Sequence, residues 1–560
     1  MSVDASAPRL GGHILVEALR RQGVDTIYGV PGESFLPVLD ALHAHAHIRF
    51  INTCHEGAAA NMADAHGKLT ARVGVAMVTR GPGASHAANG VHTAMQDSTP
   101  MVLFIGQIDT AIREREGFQE VDYRRMFGGL AKWATEIEQI ERIPEIVQRA
   151  FAVAQSGRPG PVVVALPENI LFGSAVVADL VQPVVVPEPA PTPAALEDLR
   201  ARLLAAQRPL VIVGGTGWTR EACAQWRAFV EAWDLPVAAG FRRQDVLDNR
   251  SAQYVGQLGL GISPALAERV RAADLIWVVG SRLSEITSSG YTLIESPRPR
   301  QTLVHVHPSV EELNRVFQAD LPIQSRMVPL VQALSQWPSP SPARPWRDWR
   351  AQARADYQAH HTPAPRAPER VGVDMAHVVA HLAQTLPDDA VLTNGAGNYT
   401  VWLHRYYTYR QLGTELAPTN GAMGYGLPAA IAAKIAEPHR TVVCFAGDGC
   451  FMMYPQELAT AVRYGAAVIV LVVNNGMLGT IRMHQEREYP GRLAATQLVN
   501  PDFVALAQAL GAYAERVTHE ADFPAAFARA QQSGRPALLE LPTDPAQLTP
   551  TLRLTAPSAP

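Results

Sequence analysis

The sequence predicts an α/β protein built from three doubly wound, parallel-sheet domains. Three observations carry this prediction. Short β-branched apolar runs, such as Thr441 to Ala446 and Ala467 to Val473, alternate with helical patterns and stop at glycine-rich or polar turns. Proline-rich stretches, Pro183 to Pro193 and Pro338 to Pro345, followed by Pro363, Pro365 and Pro368, read as extended linkers and divide the chain into regions 1–185, 186–355 and 356–560. The first and third regions also close alike: Ser156-Gly157-Arg158-Pro159 precedes the run PVVVALP, and Ser533-Gly534-Arg535-Pro536 precedes ALLELP. The echo suggests two copies of one module, with a chance helix-to-strand turn as the alternative.

Composition narrows the classes of function. A chain of 560 residues is too long for one core. With 47% hydrophobic and 18% charged residues it reads as a soluble globular protein. A formal charge of −4 gives no basic footprint, so nucleic acid is not an expected partner. Cys54, Cys223, Cys444 and Cys450 form neither a metal-ligand spacing nor a disulfide framework, as expected of a reducing compartment. Met1 to Leu10 lacks a signal-peptide core and no apolar run approaches membrane-spanning length. A cytoplasmic protein with no membrane partner is expected.

Region one opens with a helix, Gly12 to Gln22, and a short strand ending at Tyr28-Gly29-Val30-Pro31-Gly32. A helix from Ser34 to Ala44 leads to the strand Ile48 to Asn52, and then to Thr53-Cys54-His55-Glu56-Gly57. Glu56 therefore stands at the carboxyl end of a strand and in the first turn of an Ala-rich helix. A carboxylate there either caps the helix dipole, worth about 1 kcal/mol or less, or carries chemistry, and local sequence leaves both readings open. The strand Val73 to Thr79 ends in Arg80-Gly81-Pro82-Gly83-Ala84, either a tight turn or a ligand contact. His86 and His92 on the next helix read as packed or surface histidines, and Lys132 as a solvated lysine. The strand Met101 to Ile105 ends at Gly106-Gln107, with Gly117-Phe118-Gln119-Glu120-Val121-Asp122 beyond it.

Region two repeats the alternation. Its strands Leu210 to Val213, Leu275 to Val279 and Leu303 to Val306 end at Gly214-Gly215-Thr216-Gly217, Gly280-Ser281-Arg282 and His307-Pro308. No acidic residue follows the glycines at the spacing a nicotinamide ribose needs, which argues against a dehydrogenase.

In region three the strand Ala390 to Thr393 ends at Asn394-Gly395-Ala396-Gly397-Asn398, before an aromatic helix from Tyr399 to Tyr409. Asn420-Gly421-Ala422-Met423-Gly424-Tyr425-Gly426 enters a second, Ala-rich helix. The run Thr441 to Ala446 reaches Gly447-Asp448-Gly449, and a helical pattern places Phe451, Leu458, Ala461 and Val462 on one apolar face. The next strand, Ala467 to Val473, stops at Asn474-Asn475-Gly476. One βαβ unit thus brings Asp448 and Asn475 to the same sheet edge, where ligands of open α/β sheets bind. A carboxylate, the Asn475 amide oxygen and the Met477 carbonyl suit Mg²⁺, which shares its remaining positions with phosphate and water. The flanking glycines admit a diphosphate closely, and the helix start points N–H groups at it.

These residues carry a resemblance. GDG followed by a paired Asn resembles the diphosphate-anchoring motif of thiamine diphosphate enzymes. The HEG sequence is similar to the segment whose glutamate hydrogen-bonds the aminopyrimidine ring, a place held by Glu56. GAMGYGLPAA resembles the segment whose large apolar residue wedges between the two cofactor rings, here Met423. Gly117 to Asp122 resembles the AFQE segment of acetohydroxyacid synthases, which brings in Phe118 and Gln119 near the reacting carbon. The resemblance spans nearly the whole chain and is closest to the acetohydroxyacid (acetolactate) synthase large-subunit branch.

That resemblance implies a pyrimidine-binding domain over 1–185, a central domain over 186–355 and a diphosphate-binding domain over 356–560. It implies catalytic roles for Glu56, Gln119 and Phe118, and metal ligation by Asp448, Asn475 and Met477. Cofactor contacts are implied for Gly32, Asn398, Gly421, Met423, Gly447, Asp448, Gly449, Asn475 and Met477. A homodimer or homotetramer is implied too, with the pyrimidine domain of one subunit facing the diphosphate domain of another. In the synthase branch the central domain holds FAD, with an arginine matching Arg282 near its diphosphate; other members bind nothing there, so FAD stays open.

Two departures concern the substrate. The branch has Pro-Gly-Gly-Ala where this chain has Pro31-Gly32-Glu33-Ser34, and a tryptophan favouring 2-oxobutyrate where it has His484. Glu33, Ser34 and His484 are therefore the substrate-pocket candidates. The expected function is a thiamine diphosphate- and Mg²⁺-dependent carboligase that decarboxylates a 2-oxo acid, pyruvate foremost, and joins the enamine to a second carbonyl compound. A 2-oxo acid decarboxylase or a C–C bond lyase of the same cofactor family is the alternative.

Overall fold

Three six-stranded sheets, parallel throughout, run through the computed structural model, which describes residues 7–340, 344–366 and 371–554. Pro368 and part of the Pro338 to Pro345 stretch lie outside the described residues. Across the first sheet the strands stand in the order Arg49–Asn52, Thr26–Gly29, Gly74–Val78, Met101–Gln107, Pro161–Pro167, Trp133–Glu136. The third runs Glu415–Leu416, Val391–Asn394, Val442–Gly447, Ile469–Asn474, Ala537–Pro542, Tyr513–Arg516. Counted along the sequence, both follow the order 2-1-3-4-6-5. The central sheet instead follows 3-2-1-4-5-6, the order of dinucleotide-binding folds.

The echo between the first and third regions is therefore topological. Gly157 and Gly534, at the same place in the two SGRP turns, both adopt positive φ, 52° and 61°. Glycine enters that left-handed conformation with less strain than a residue carrying a Cβ. Each turn feeds a fully paired strand, Pro161–Pro167 or Ala537–Pro542, flanked on both sides. Strands first and third in sequence are neighbours in both sheets, so the helices that follow them leave on opposite faces and open a crevice at the strand ends.

Two units emerge from the packing. One comprises residues 1–187 with 418–438 and 454–466; the other comprises 188–417, 439–453 and 467–560. In the first unit the helix Glu56–Thr70 is enclosed by the helices Gly81–Asp97 and Gly426–Ala436. This explains its alanines: Ala58, Ala59, Ala60, Ala63 and Ala65 have no exposed surface. A Cβ on Gly90 would sit 2.4 Å from the Ala60 Cβ, so larger residues would overpack the contact by about 1–3 kcal/mol. In the second unit the central sheet packs on an aromatic cluster in which the Trp226 and Trp277 rings stand 5.5 Å apart, edge to face.

One expected element differs. The helical face from Phe451 to Val462 is two short helices, Asp448–Phe451 and Glu457–Arg463. Pro455 lies between them, and a residue without an N–H that also disfavours helix in its predecessor breaks the pattern. Phe451, Leu458 and Ala461 are buried as expected, but Val462 is exposed. No helix of the described residues is long and apolar enough to cross a membrane.

Candidate active site

Asp448 follows directly on the strand Val442–Gly447 and opens the short helix Asp448–Phe451. Its side chain is buried, which pushes its carboxyl up, and hydrogen bonds from Asn500 and from the backbone N–H groups of Gly449 and Gly476 oppose that shift. Oδ1 accepts from the Gly449 N–H at 2.9 Å; Oδ2 accepts from the Gly476 N–H at 2.9 Å and from Asn500 Nδ2 at 2.8 Å. The second strand end is thereby tied to the first. Asn474 Oδ1 accepts from Gly476 N at 3.1 Å, and Asn475 Oδ1 accepts from the Met477 N–H at 3.3 Å. The predicted trio of Asp448, Asn475 and Met477 is brought together at one sheet edge.

Neighbouring groups shape that edge. A Cβ on Gly447 would sit 2.8 Å from Tyr399 Cδ1, so the strand end must be glycine. The Tyr399 hydroxyl accepts from Gly395 N at 3.0 Å and donates to Cys450 Sγ at 3.2 Å. Asn398 N donates to the Thr480 hydroxyl at 3.0 Å, and that hydroxyl donates to Asn398 Oδ1 at 3.0 Å. His484 is exposed, with an Arg487 N–H donated to its Nδ1 at 2.9 Å.

In the other unit Glu56 is the first residue of its helix, with His55 as the cap: His55 Nδ1 accepts the Gly57 N–H at 3.0 Å. The Glu56 carboxylate meets His86, Oε2 to Nδ1 at 2.8 Å. Its Oε1 lies over Gly83, where a Cβ would come within 3.2 Å. Gly57 is equally constrained, since a Cβ there would sit 2.4 Å from the Tyr454 hydroxyl. The loop before Glu56 is held by Glu457, whose Oε1 accepts the Cys54 N–H at 3.1 Å and whose Oε2 accepts the Thr460 hydroxyl at 2.7 Å. Burial pushes the Glu457 carboxyl up to about 7.

Gly32, Glu33 and Ser34 follow the strand Thr26–Gly29 of the first sheet. Gln119 adopts a positive φ of 66°, and its carbonyl abuts Gly81, where a Cβ would sit 2.9 Å away. Phe118 beside it is 74% exposed. Gly32 backs onto Thr79. Glu33 is exposed and pairs with Arg80 at 2.5 Å, which also meets Glu168 at 3.0 Å. Ser34 is fully buried and its hydroxyl meets that of Thr79 at 3.2 Å. Met423 is half-buried between Gly421 and Gly424, both at positive φ, and Ala422 N donates to Asn420 Oδ1 at 3.2 Å. Lys132, read as solvated, instead donates to the Val153 and Ser156 carbonyls at 2.5 and 2.7 Å, at the end of the helix Ile143–Gln155.

Comparison with known proteins decides the family. Residues 9–126 match the model of the thiamine pyrophosphate enzyme N-terminal TPP binding domain, 196–334 that of the central domain, and 395–541 that of the C-terminal TPP binding domain. The chain is 33% identical to the acetolactate synthase isozyme 3 large subunit of Escherichia coli (strain K12), over 94% of this chain and 92% of that one. The chain belongs to the thiamine pyrophosphate enzyme family. Other relatives point to the same branch. The isozyme 2 large subunit of the same organism is 31% identical over 95% of both chains. The acetolactate synthase large subunit of Lactococcus lactis subsp. lactis (strain IL1403) is 31% identical over 91% of this chain and 88% of that one. The protein is thus a thiamine pyrophosphate-dependent enzyme of the acetolactate synthase type, a carboligase by class.

Within the C-terminal TPP binding domain, the Asp448 edge fits Mg²⁺ by its donor set, a carboxylate, an amide oxygen and a carbonyl, all hard oxygens. The central-domain glycines have a packing explanation. A Cβ on Gly215 would sit 2.0 Å from the Gly280 carbonyl, and Trp218, buried beside them, donates its indole N–H to Gly214 O at 2.9 Å. They mark the close approach of two strand ends.

Sequence reading missed Asn500, Tyr399, Glu457 and the contact of His86 with Glu56. Another omission is a buried ionic cluster in the first unit. Lys68 Nζ meets Asp64 Oδ2 at 2.8 Å and also Asp97, the Tyr425 hydroxyl donates to Asp64 at 2.6 Å, and Thr419 N donates to Asp97 at 2.7 Å. It ties the segment carrying Gly421 and Met423 to the helix headed by Glu56. A lysine four residues after an aspartate on an otherwise Ala-rich helix is the one signal the sequence offered.

Proposed function

We propose that the protein is a Mg²⁺- and thiamine diphosphate-dependent carboligase that decarboxylates pyruvate and joins the two-carbon unit to a second carbonyl compound. One observation carries this reading furthest: the buried Asp448 carboxylate accepts the Gly476 N–H at 2.9 Å, which ties it to the turn that carries Asn475 and Met477. Asp448, Asn475 and the Met477 carbonyl would hold the ion, and Gly447 and Gly449 leave room for the diphosphate. When bound, thiamine diphosphate supplies a thiazolium carbon that adds to a carbonyl and takes up the electrons released with CO₂. Glu56 exchanges a proton with the aminopyrimidine nitrogen through its free oxygen. Met423 packs against the cofactor rings with a polarizable thioether. Gln119, with its backbone held against the Arg80 to Gly83 turn, and Phe118 contact the reacting substrate.

Choice of acceptor rests on Glu33 and His484, the two polar departures that remain exposed, whereas the Ser34 hydroxyl is bonded to Thr79. The working protein is a homodimer or homotetramer, which light scattering at micromolar concentration checks. Incubation with ¹³C-pyruvate, thiamine diphosphate and Mg²⁺, alone and with added aldehydes, tests the reaction by NMR. Acetolactate-type or acyloin products support carboligation. Acetaldehyde alone favours the decarboxylase alternative, and unchanged pyruvate in every mixture contradicts both.

A further inference from the structure

Glu56 is reached by one side chain from outside its own helix that no motif accounts for. His86 lies on the helix Gly81–Asp97, whose first turn also brings Gly83 under the carboxylate. His86 Nδ1 and Glu56 Oε2 are 2.8 Å apart. A carboxylate only accepts hydrogen bonds, so with Glu56 ionised the Nδ1 hydrogen belongs to His86. The ring is held from its other side. It stacks on His55, with centroids 4.4 Å apart and planes 25° apart, and His55 is fixed in turn by the Gly57 N–H and by Tyr454, 5.2 Å away centroid to centroid. Burial holds the His55 ring below the usual histidine range, with the neighbouring His86 acting in the same direction.

The Glu56 oxygens therefore differ. Oε2 is engaged by His86, while Oε1 stands over the bare Cα of Gly83. We propose that His86 is a positioning residue for Glu56, holding Oε2 so that Oε1 is the oxygen presented to the cofactor's aminopyrimidine. This deepens the functional reading above and rests on it. Although His55, Glu56 and His86 cluster closely enough to suggest a metal site, no ion is needed to explain them. His55 Nδ1 is already committed to the helix cap and His86 Nδ1 to the carboxylate.

Asparagine and leucine at position 86 separate positioning from simple packing. Asn carries an N–H near the place of Nδ1, whereas Leu fills similar space without a donor. Exchange of the thiazolium C2 proton, followed by NMR on the loaded protein, should slow by about 10–100-fold in His86→Leu, the scale expected when a reacting group loses its orientation. It should stay within about threefold of the parent in His86→Asn. Thiamine diphosphate affinity, measured by calorimetry, should change less than about threefold in both. Imidazole ¹⁵N spectra of the cofactor-free protein give an independent reading, because one Nδ1 signal should move in Glu56→Ala and vanish in both His86 variants. Equal exchange rates in parent and His86→Leu overturn the inference, as does a His86 signal indifferent to Glu56→Ala. Failure of the parent to bind thiamine diphosphate overturns instead the functional reading, and the ¹⁵N result still judges the contact.

Discussion

Asn500 bridges two strand ends of the third sheet, its Nδ2 donating to Asp448 Oδ2 at 2.8 Å and to Asn474 Oδ1 at 3.0 Å. The residue precedes the helix Phe503–Ala509 and lies 52 positions from Asp448 in sequence. It orients the carboxylate without occupying a proposed metal position. Partners that orient metal ligands typically cost about 10–100-fold in affinity when removed. Asn500→Ala should weaken Mg²⁺-dependent thiamine diphosphate binding by that factor, read by calorimetry, while circular dichroism stays unchanged. An unaltered dissociation constant would mean that Asp448 needs no such support.

The ionic cluster on the Glu56 helix sets a stability prediction. The side chains of Lys68, Asp64 and Asp97 are 4%, 0% and 1% exposed. Removing the one cation leaves two carboxylates facing each other away from water, a change that typically costs about 3–5 kcal/mol. Lys68→Met, of similar length, should therefore lower the urea midpoint strongly. The loss should shrink in Lys68→Met/Asp97→Asn, because that variant has one fewer buried charge. A single variant as stable as the parent would show that the cluster contributes little.

A second buried acidic pair gives a pH prediction. Glu415 Oε2 accepts the Gln244 N–H at 2.7 Å, and Asp245 Oδ2 accepts the Gly413 N–H at 2.8 Å. Burial, reinforced by the neighbouring Asp245, pushes the Glu415 carboxyl up to about 8 despite Arg242 and Arg243. In the unfolded chain a glutamate ionises near about 4.3. Between those values the folded state binds more protons than the unfolded one, so stability falls as pH rises and levels off beyond about 8. Glu415→Gln keeps an acceptor for Gln244 and removes the ionisation. Its melting temperature relative to the parent should rise from pH 5 to pH 8. Parallel profiles for the two proteins would count against a carboxyl raised by burial.

Some of this was open to reading in the sequence because it rests on short-range pattern. Asp448 and Asn475 stand at the ends of consecutive apolar strands, and strand direction alone brings them to one edge. The matching SGRP turns likewise announced two sheets of equal strand order. The helix between Asp448 and Asn475 was misread because apolar spacing was followed through Pro455, where backbone chemistry overrides side-chain period. His86 looked like any helical histidine, since its meaning depends on Glu56, 30 residues away. Asn500 and the partners of Lys68 were hidden for the same reason. Hydrogen bonds between distant segments leave no period in the chain.

The proton role of Glu56 is tested most directly by C2–H exchange on bound thiamine diphosphate, which requires no knowledge of the substrate. Glu56→Gln preserves the size of the side chain and an oxygen to face His86, but it has no proton to exchange with the ring nitrogen. Cofactor affinity should change little while C2 exchange slows by about 10²–10⁴-fold, the usual contribution of a general acid–base group. Exchange in Glu56→Gln as fast as in the parent protein would contradict the mechanism and leave Glu56 as the first carboxylate of a buried helix.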